Sequence, residues 1–146
     1  MNGAVLNAFL NFRPRPRDAW MIENEAIREQ IARQIALFPA WALPTSAAPT
    51  CIAGVVYAFG AAQAWMLTGI GFERDARRIL PVMQWGIRHF YERLGLRRLE
   101  MQIEVDDSPA ERWARHTGFR FEAGPLKRKG ARGEDMNIWL YQPREG

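Results

Sequence analysis

Between Thr68 and Phe72 the chain reads Gly69-Ile70-Gly71, with an apolar run before it (Ala64 to Thr68) and an arginine-rich stretch after it. Glycines let a backbone come within hydrogen-bond reach of an anion. A helix that follows directly aims its unpaired N–H groups and the positive end of its dipole at the same place. Such a turn either cradles a phosphate or simply changes the direction of the chain. Glu73 has the wrong charge for the first role, while Arg74, Arg77 and Arg78 offset it. Further on, Glu100 and Glu104 fall in a strictly alternating stretch, so they share one face of a strand and are candidate general bases. His116 lies near a helix end and can change charge close to neutral pH. No Ser-His-Asp or Cys-His arrangement points to a covalent route. The single cysteine, Cys51, makes neither an internal disulfide nor a metal cage, and its apolar setting (CIAGVVY) reads as a buried, inert thiol.

A chain of 146 residues with 48% hydrophobic and 25% charged residues is expected to be one domain, spanning 1–146, with a real core. The composition excludes disorder, and no apolar run is long enough to span a bilayer. The segment MNGAVLNAFLNF lacks a basic n-region and a cleavage site, so no signal peptide is read and a cytoplasmic protein is expected. The net charge is +4 and the sequence pI is near 9.8. Arg13, Arg15 and Arg17 alternate with Pro14 and Pro16, and Lys127, Arg128, Lys129 and Arg132 form a second basic stretch. This balance can attract an anionic cofactor or nucleic acid. Nucleic acid ranks last, because no aromatic interleaving accompanies the charge.

The elements that must position these residues follow from periodicity and punctuation. Ala4 to Phe12 is read as a first strand, ended by the proline-rich RPRPR, with Asp18 as a candidate N-cap. Trp20, Ile27, Ile31, Ile35 and Phe38 fall at helical spacing, as one helix or two short ones. Prolines break up the next stretch, leaving Trp41 to Ala48 as a short strand or an irregular crossing. Thr50 to Phe59 reads as a buried strand, a turn follows at Gly60 to Ala62, and Gln63 to Thr68 is its antiparallel neighbour. After the glycines, Ala76, Ile79, Leu80, Met83, Ile87, Phe90, Tyr91 and Leu94 line one stripe of a long helix. Pro81 should kink it or mark its start, and Gly95 should cap it. LEMQIEV, Leu99 to Val105, alternates without error, so strand, helix and strand form a βαβ unit with a parallel pair. Ser108-Pro109-Ala110-Glu111 reads as a helix start capped by Ser108, and Gly118 stops that helix. Phe119 to Phe121 opens a strand, Gly124 to Gly133 reads as a long turn, and Met136 to Tyr141 closes a hairpin. The expected class is α+β, with a mixed central sheet and helices on both faces.

With that order in place, WMLTGIGFERDARRIL and the run from Val105 to Gly124, VDDSPAERWARHTGFRFEAG, resemble the GNAT superfamily of N-acetyltransferases. Within it the chain looks most like the small GNAT-fold proteins of tailed bacteriophages, including the internal virion type. The resemblance implies a GNAT fold with six to seven strands and acetyl-CoA as cofactor. The pantetheine would pair with Met66, Leu67 and Thr68. The pyrophosphate would lie on the turn made by Gly69, Ile70, Gly71, Phe72, Glu73 and Arg74, with Asp107 as a further cofactor contact. The sequence departs from the family pattern at Met66, where Gln or Arg is usual, at Asp107, where asparagine is frequent, and at Ala114, where a tyrosine acts as general acid.

The implied activity is direct transfer of an acetyl group to a small-molecule or protein amine, with Glu104, Glu100 and His116 as candidate catalytic residues. The competing expectation is a catalytically silent GNAT-fold module whose partners are phage virion proteins, located in the bacterial cytoplasm or the particle. No metal and no membrane partner are expected. Pairing into a homodimer through the last strands, for which MNIWLY is apolar enough, is a further expectation from the family.

Overall fold

The computed structural model describes residues 3–45 and 48–143. Its elements run α1 (Gly3–Leu10), a 3-10 turn (Pro16–Asp18), α2 (Trp20–Glu23), α3 (Glu25–Leu37), β1 (Ala40–Leu43), β2 (Cys51–Ala58), β3 (Ala61–Thr68), α4 (Phe72–Arg93), β4 (Arg98–Glu104), α5 (Ser108–His116), β5 (Phe119–Leu126) and β6 (Met136–Tyr141). The strands form a six-stranded sheet in the order β1-β2-β3-β4-β6-β5. β1 runs antiparallel to β2, β3 parallel to β4, and β6 antiparallel to both β4 and β5. This is the mixed α+β architecture expected from the sequence. Contacts gather in two compact units, Met1–Val56 with Trp65–Ile79 and Tyr57–Ala64 with Leu80–Gly146.

In the first unit, the segment expected to be a strand from Ala4 to Phe12 is the helix α1. Val5, Phe9 and Phe12 recur at i, i+4 and i+7, and Ala4, Leu6, Ala8 and Leu10 are good helix formers, so helical periodicity prevails over the β-like apolar run. Phe9 is fully buried with Ile35, Ile52 and Leu67, and Phe12 joins the same core. Each such side chain contributes about 1.5–3 kcal/mol by leaving water. Asp18 does not cap a helix. It sits in the 3-10 turn, while Ala19 and Asn24 take the N-cap positions of α2 and α3. Asn24 Oδ1 accepts from the Ile27 amide at 3.1 Å. Gly54 lies under Trp65: a Cβ there would come within 2.6 Å of the indole ring. Cys51 is buried, and desolvation pushes its thiol up to about 12.

In the second unit, Phe59 (φ 56°) and Gly60 (φ 80°) make the turn before β3, which therefore starts at Ala61 rather than Gln63. Positive φ at both positions is the type I′ geometry of two-residue hairpins. The parallel ladder to β4 covers Ala61↔Arg98 to Ala64↔Met101. α4 continues through Pro81, which has no N–H to offer the Arg77 carbonyl. Gly95 (φ 59°) follows the helix as expected. The N-cap of α5 is Asp107, one residue before the expected Ser108: its carboxylate accepts from the Ala110 amide at 3.4 Å. β5 runs on through Gly124 to Leu126, where a turn was expected, with register shifts between Phe121 and Ala123 and between Ala123 and Leu126. Tyr141 meets Tyr91 edge-on at 5.1 Å and Phe119 at 5.5 Å. β6 has a neighbour on each side, so β5 presents the edge at this end of the sheet. MNIWLY is therefore an interior strand of the sheet, and β5 is the edge among the last strands.

Candidate functional site

β3 ends at Thr68 and α4 starts at Phe72, so three residues make the connection. Their polar groups divide in two directions. The Gly69 amide donates to the Thr50 carbonyl, just ahead of β2, at 2.7 Å. Facing the other way, the Arg15 amide donates to the Thr68 carbonyl at 2.9 Å and the Ile70 amide to the Arg13 carbonyl at 3.0 Å. These two bonds bracket an antiparallel bridge between Pro14 and Gly69. A Cβ on Gly69 would stand 2.8 Å from both the Arg13 carbonyl oxygen and the Phe12 ring. Glycine at 69 is therefore dictated by the close approach of the chain's own backbone.

Gly71 has a different cause. Its φ is +92°, and a Cβ there would meet the Arg74 guanidinium at 3.1 Å and the Thr50 methyl at 3.5 Å. The Phe72 and Arg74 amides donate to the carbonyls of Gly69 and Gly71, both at 3.1 Å. Among the described residues, no protein acceptor meets the amides of Gly71 and Glu73. These are the unpaired donors of a helix start, beside a fixed guanidinium. Two amides, a positive helix end and Arg74 fit a pyrophosphate in chemistry. Leu67 is fully buried in the core, so it can offer only main chain.

The arginines here converge on one buried carboxylate. Asp75 is 2% exposed. It accepts from Thr50 Oγ1 at 2.9 Å, Arg78 Nη2 at 2.9 Å, and Arg74 Nε and Nη2 at 3.3 and 3.2 Å. The Arg74 guanidinium foremost, then Arg78 and the Thr50 hydroxyl, hold the Asp75 carboxyl far below the usual carboxylate range. Asp75 holds each guanidinium by one side, while Arg74 and Arg78 keep most of their side-chain surface in water.

The candidate catalytic residues lie in the second unit and are not brought together. Glu100 and Glu104 share a face of β4 but stand about 13 Å apart along the strand. Arg98 holds Glu100 Oε2 through Nε and Nη2 at 2.9 and 2.7 Å, and also grips Glu122 on β5. Arg132 Nη2 donates to Glu104 Oε2 at 3.2 Å. His116 is exposed at the end of α5, and its carbonyl accepts from Gln84 Nε2 at 2.8 Å. Asp107 is buried and caps α5. Ala114, where the resemblance calls for an acid, is fully buried. Among the described residues, no group of three His, Cys, Asp or Glu side chains could hold a metal ion.

The fold is that of GNAT acetyltransferases. The ribosomal-protein-S18-alanine N-acetyltransferase of Escherichia coli superposes with a TM-score of 0.68 at 15% identity, over 97% of this chain and 89% of that one. A variant of the Vibrio cholerae spermidine N-acetyltransferase gives 0.60 at 12% identity, over 80% and 73%. A GNAT-family acetyltransferase from Bacillus anthracis gives 0.59 at 12%, over 77% and 72%. No family model and no curated protein matches the chain. At such identities the likeness is one of fold.

Sequence reasoning found the glycines and missed the residues that organise them. Thr50 lies 25 positions from Asp75. Arg13, Arg15 and Asp18 lie some fifty positions from the turn they bind, as the Thr68 amide to Asp18 Oδ2 contact illustrates. One local signal was present: a carboxylate in the first turn of a helix, flanked by arginines at one and three residues on its two sides.

Proposed function

We propose that the chain transfers an acetyl group from acetyl-CoA to a primary amine by direct attack. The GNAT fold supports this reading, and one observation carries it: the Gly71 and Glu73 amides stand unpaired at the start of α4 beside a guanidinium anchored by Asp75. Gly71 keeps the backbone open to an approaching phosphate, and Arg74 supplies the charge that Met66 cannot. When bound, acetyl-CoA supplies a thioester whose acyl carbon is open to attack. The chain's part is to hold the phosphates at Gly71 to Arg74 and to remove the amine proton. Glu104 and Glu100 are the candidates for the second task, the first meeting Arg132 at 3.2 Å and the second held by Arg98 at 2.9 and 2.7 Å. The acceptor is a small-molecule or protein amine, in keeping with the spermidine and ribosomal-protein alanine named for two fold neighbours.

Calorimetry with acetyl-CoA tests the reading. Micromolar binding that is lost in Gly71→Val supports it, and no heat of binding refutes it. A second reading rests on Ala114: with a buried methyl in place of an acid, the chain is a silent GNAT-fold module of the internal virion type, partnered by other particle proteins. Turnover of acetyl-CoA with any amine excludes that alternative. Among the described residues no helix is long and apolar enough to cross a membrane. Either reading places the chain in the bacterial cytoplasm or in a phage particle.

A further inference from the structure

The segment after α1 is spliced onto the end of β3. Successive residues of a strand send their N–H and C=O groups to opposite edges. The Gly69 amide faces the β2 side through Thr50, so the groups of Thr68 and Ile70 face the edge away from β2. On that edge the Thr68 carbonyl takes the Arg15 amide at 2.9 Å and the Ile70 amide gives to the Arg13 carbonyl at 3.0 Å. The Thr68 amide points to Asp18 Oδ2 at 3.5 Å. Arg15 Nε and Nη2 in turn clasp Asp18 at 2.9 and 3.2 Å, and Asp18 is buried. Pro14 and Pro16 have no N–H, so the segment closes this edge without offering those donors to anything beyond.

We propose that Arg13–Asp18 is a strap that occupies the pantetheine edge of β3 and must leave before the cofactor can pair there. The proposal rests on the acetyl-CoA reading above. A pantetheine arm pairing with the end of β3 needs the Thr68 carbonyl, a pyrophosphate on the turn needs the Ile70 amide, and each of those serves one partner at a time. Binding is therefore coupled to release of the strap. The apparent affinity is reduced by the fraction of molecules in which the strap is on.

Arg15 allows a clean test, because its φ of −61° is already that of proline. Arg15→Pro deletes the amide that holds Thr68, whereas Arg15→Ala keeps that amide and removes the side chain that clasps Asp18. Calorimetry with acetyl-CoA should show Arg15→Pro binding about tenfold tighter than the unaltered chain, with Arg15→Ala between them. Equal affinity in all three overturns the strap and leaves the acetyl-CoA reading standing. No binding in any of them overturns both. Amide exchange in the unaltered chain gives a reading that does not depend on a variant folding. Saturating acetyl-CoA should speed exchange at the Arg15 amide, whose acceptor is taken, while Ile70 stays protected. Unchanged Arg15 exchange on saturation overturns the strap.

Discussion

Two clusters of arginine and carboxylate, one in each unit, use the same chemistry to different ends. At the start of α4, a buried Asp75 gathers Arg74, Arg78 and Thr50. On the face of β4 and β5, Arg98 bridges Glu100 and Glu122 with every partner part-exposed. Hydrogen bonds from Arg98 first, with its charge adding to them, also hold the Glu122 carboxyl below its ordinary range. The difference lies in what water can replace. If Arg98 is removed, its carboxylates are rehydrated, and exposed pairs of this kind are worth at most about 1 kcal/mol. If Asp75 is removed, a buried hydroxyl loses its acceptor and two guanidinium groups lose their anchor, Arg74 among them beside Gly71. Burial turns the first cluster into a positioning device, while the second remains a surface ornament of the sheet.

The sharpest way to break this comparison is through chemistry on the exposed side. Glu104→Gln should lower kcat for acetyl transfer by about 10²–10⁴-fold, the range of general base catalysis, with acetyl-CoA affinity unchanged in calorimetry. An unchanged kcat would return β4 to a purely structural role. Next in size is Gly69→Ala, which drives a methyl against the Arg13 carbonyl at 2.8 Å. Urea unfolding should show a loss of about 1–3 kcal/mol. A neutral result would mean that the backbone contact yields without cost.

Acid sharpens the contrast between the two carboxylates. Because the folded-state pKa of Asp75 is depressed, its stabilisation is complete above the ordinary aspartate value of about 4 and is lost as pH falls through the lower folded value. Melting curves of Asp75→Asn and the unaltered chain should therefore lie apart at neutral pH and converge below about pH 4. A gap that is constant with pH would show that the ionised carboxylate is not the stabilising form. The smallest effect belongs to Arg98→Ala, expected to move stability by no more than about 1 kcal/mol in the same assay.

Much of the sheet was legible because its signals are local. The alternation of Leu99, Met101, Ile103 and Val105 and the stripe from Ala76 to Leu94 each state their period within one element, and β4 and α4 followed. The α1 segment suits a strand as well as a helix because its seven apolar residues, broken by Asn7 and Asn11, satisfy both periods loosely, and it is the packing of Phe9 and Phe12 against Ile35 and Leu67 that decides. The α5 cap slipped by one residue because Asp107 and Ser108 are both good caps, and backbone geometry chose the aspartate. Gly69 and Gly71 stood out at once, yet their different reasons were invisible. One is set by Arg13 and Phe12 and the other by a positive φ, and neither the long-range pairing nor a dihedral is written in a Gly-x-Gly spacing.

The burial of Cys51 has a practical consequence. A thiol raised to about 12 holds almost no thiolate at neutral pH, and this one is only 1% exposed. As the chain's single cysteine, it leaves the protein without a native maleimide-reactive site. A cysteine introduced on the exposed face of the strap, at Arg13 for example, would therefore take a fluorophore alone, and the strap's departure from β3 could be followed as light.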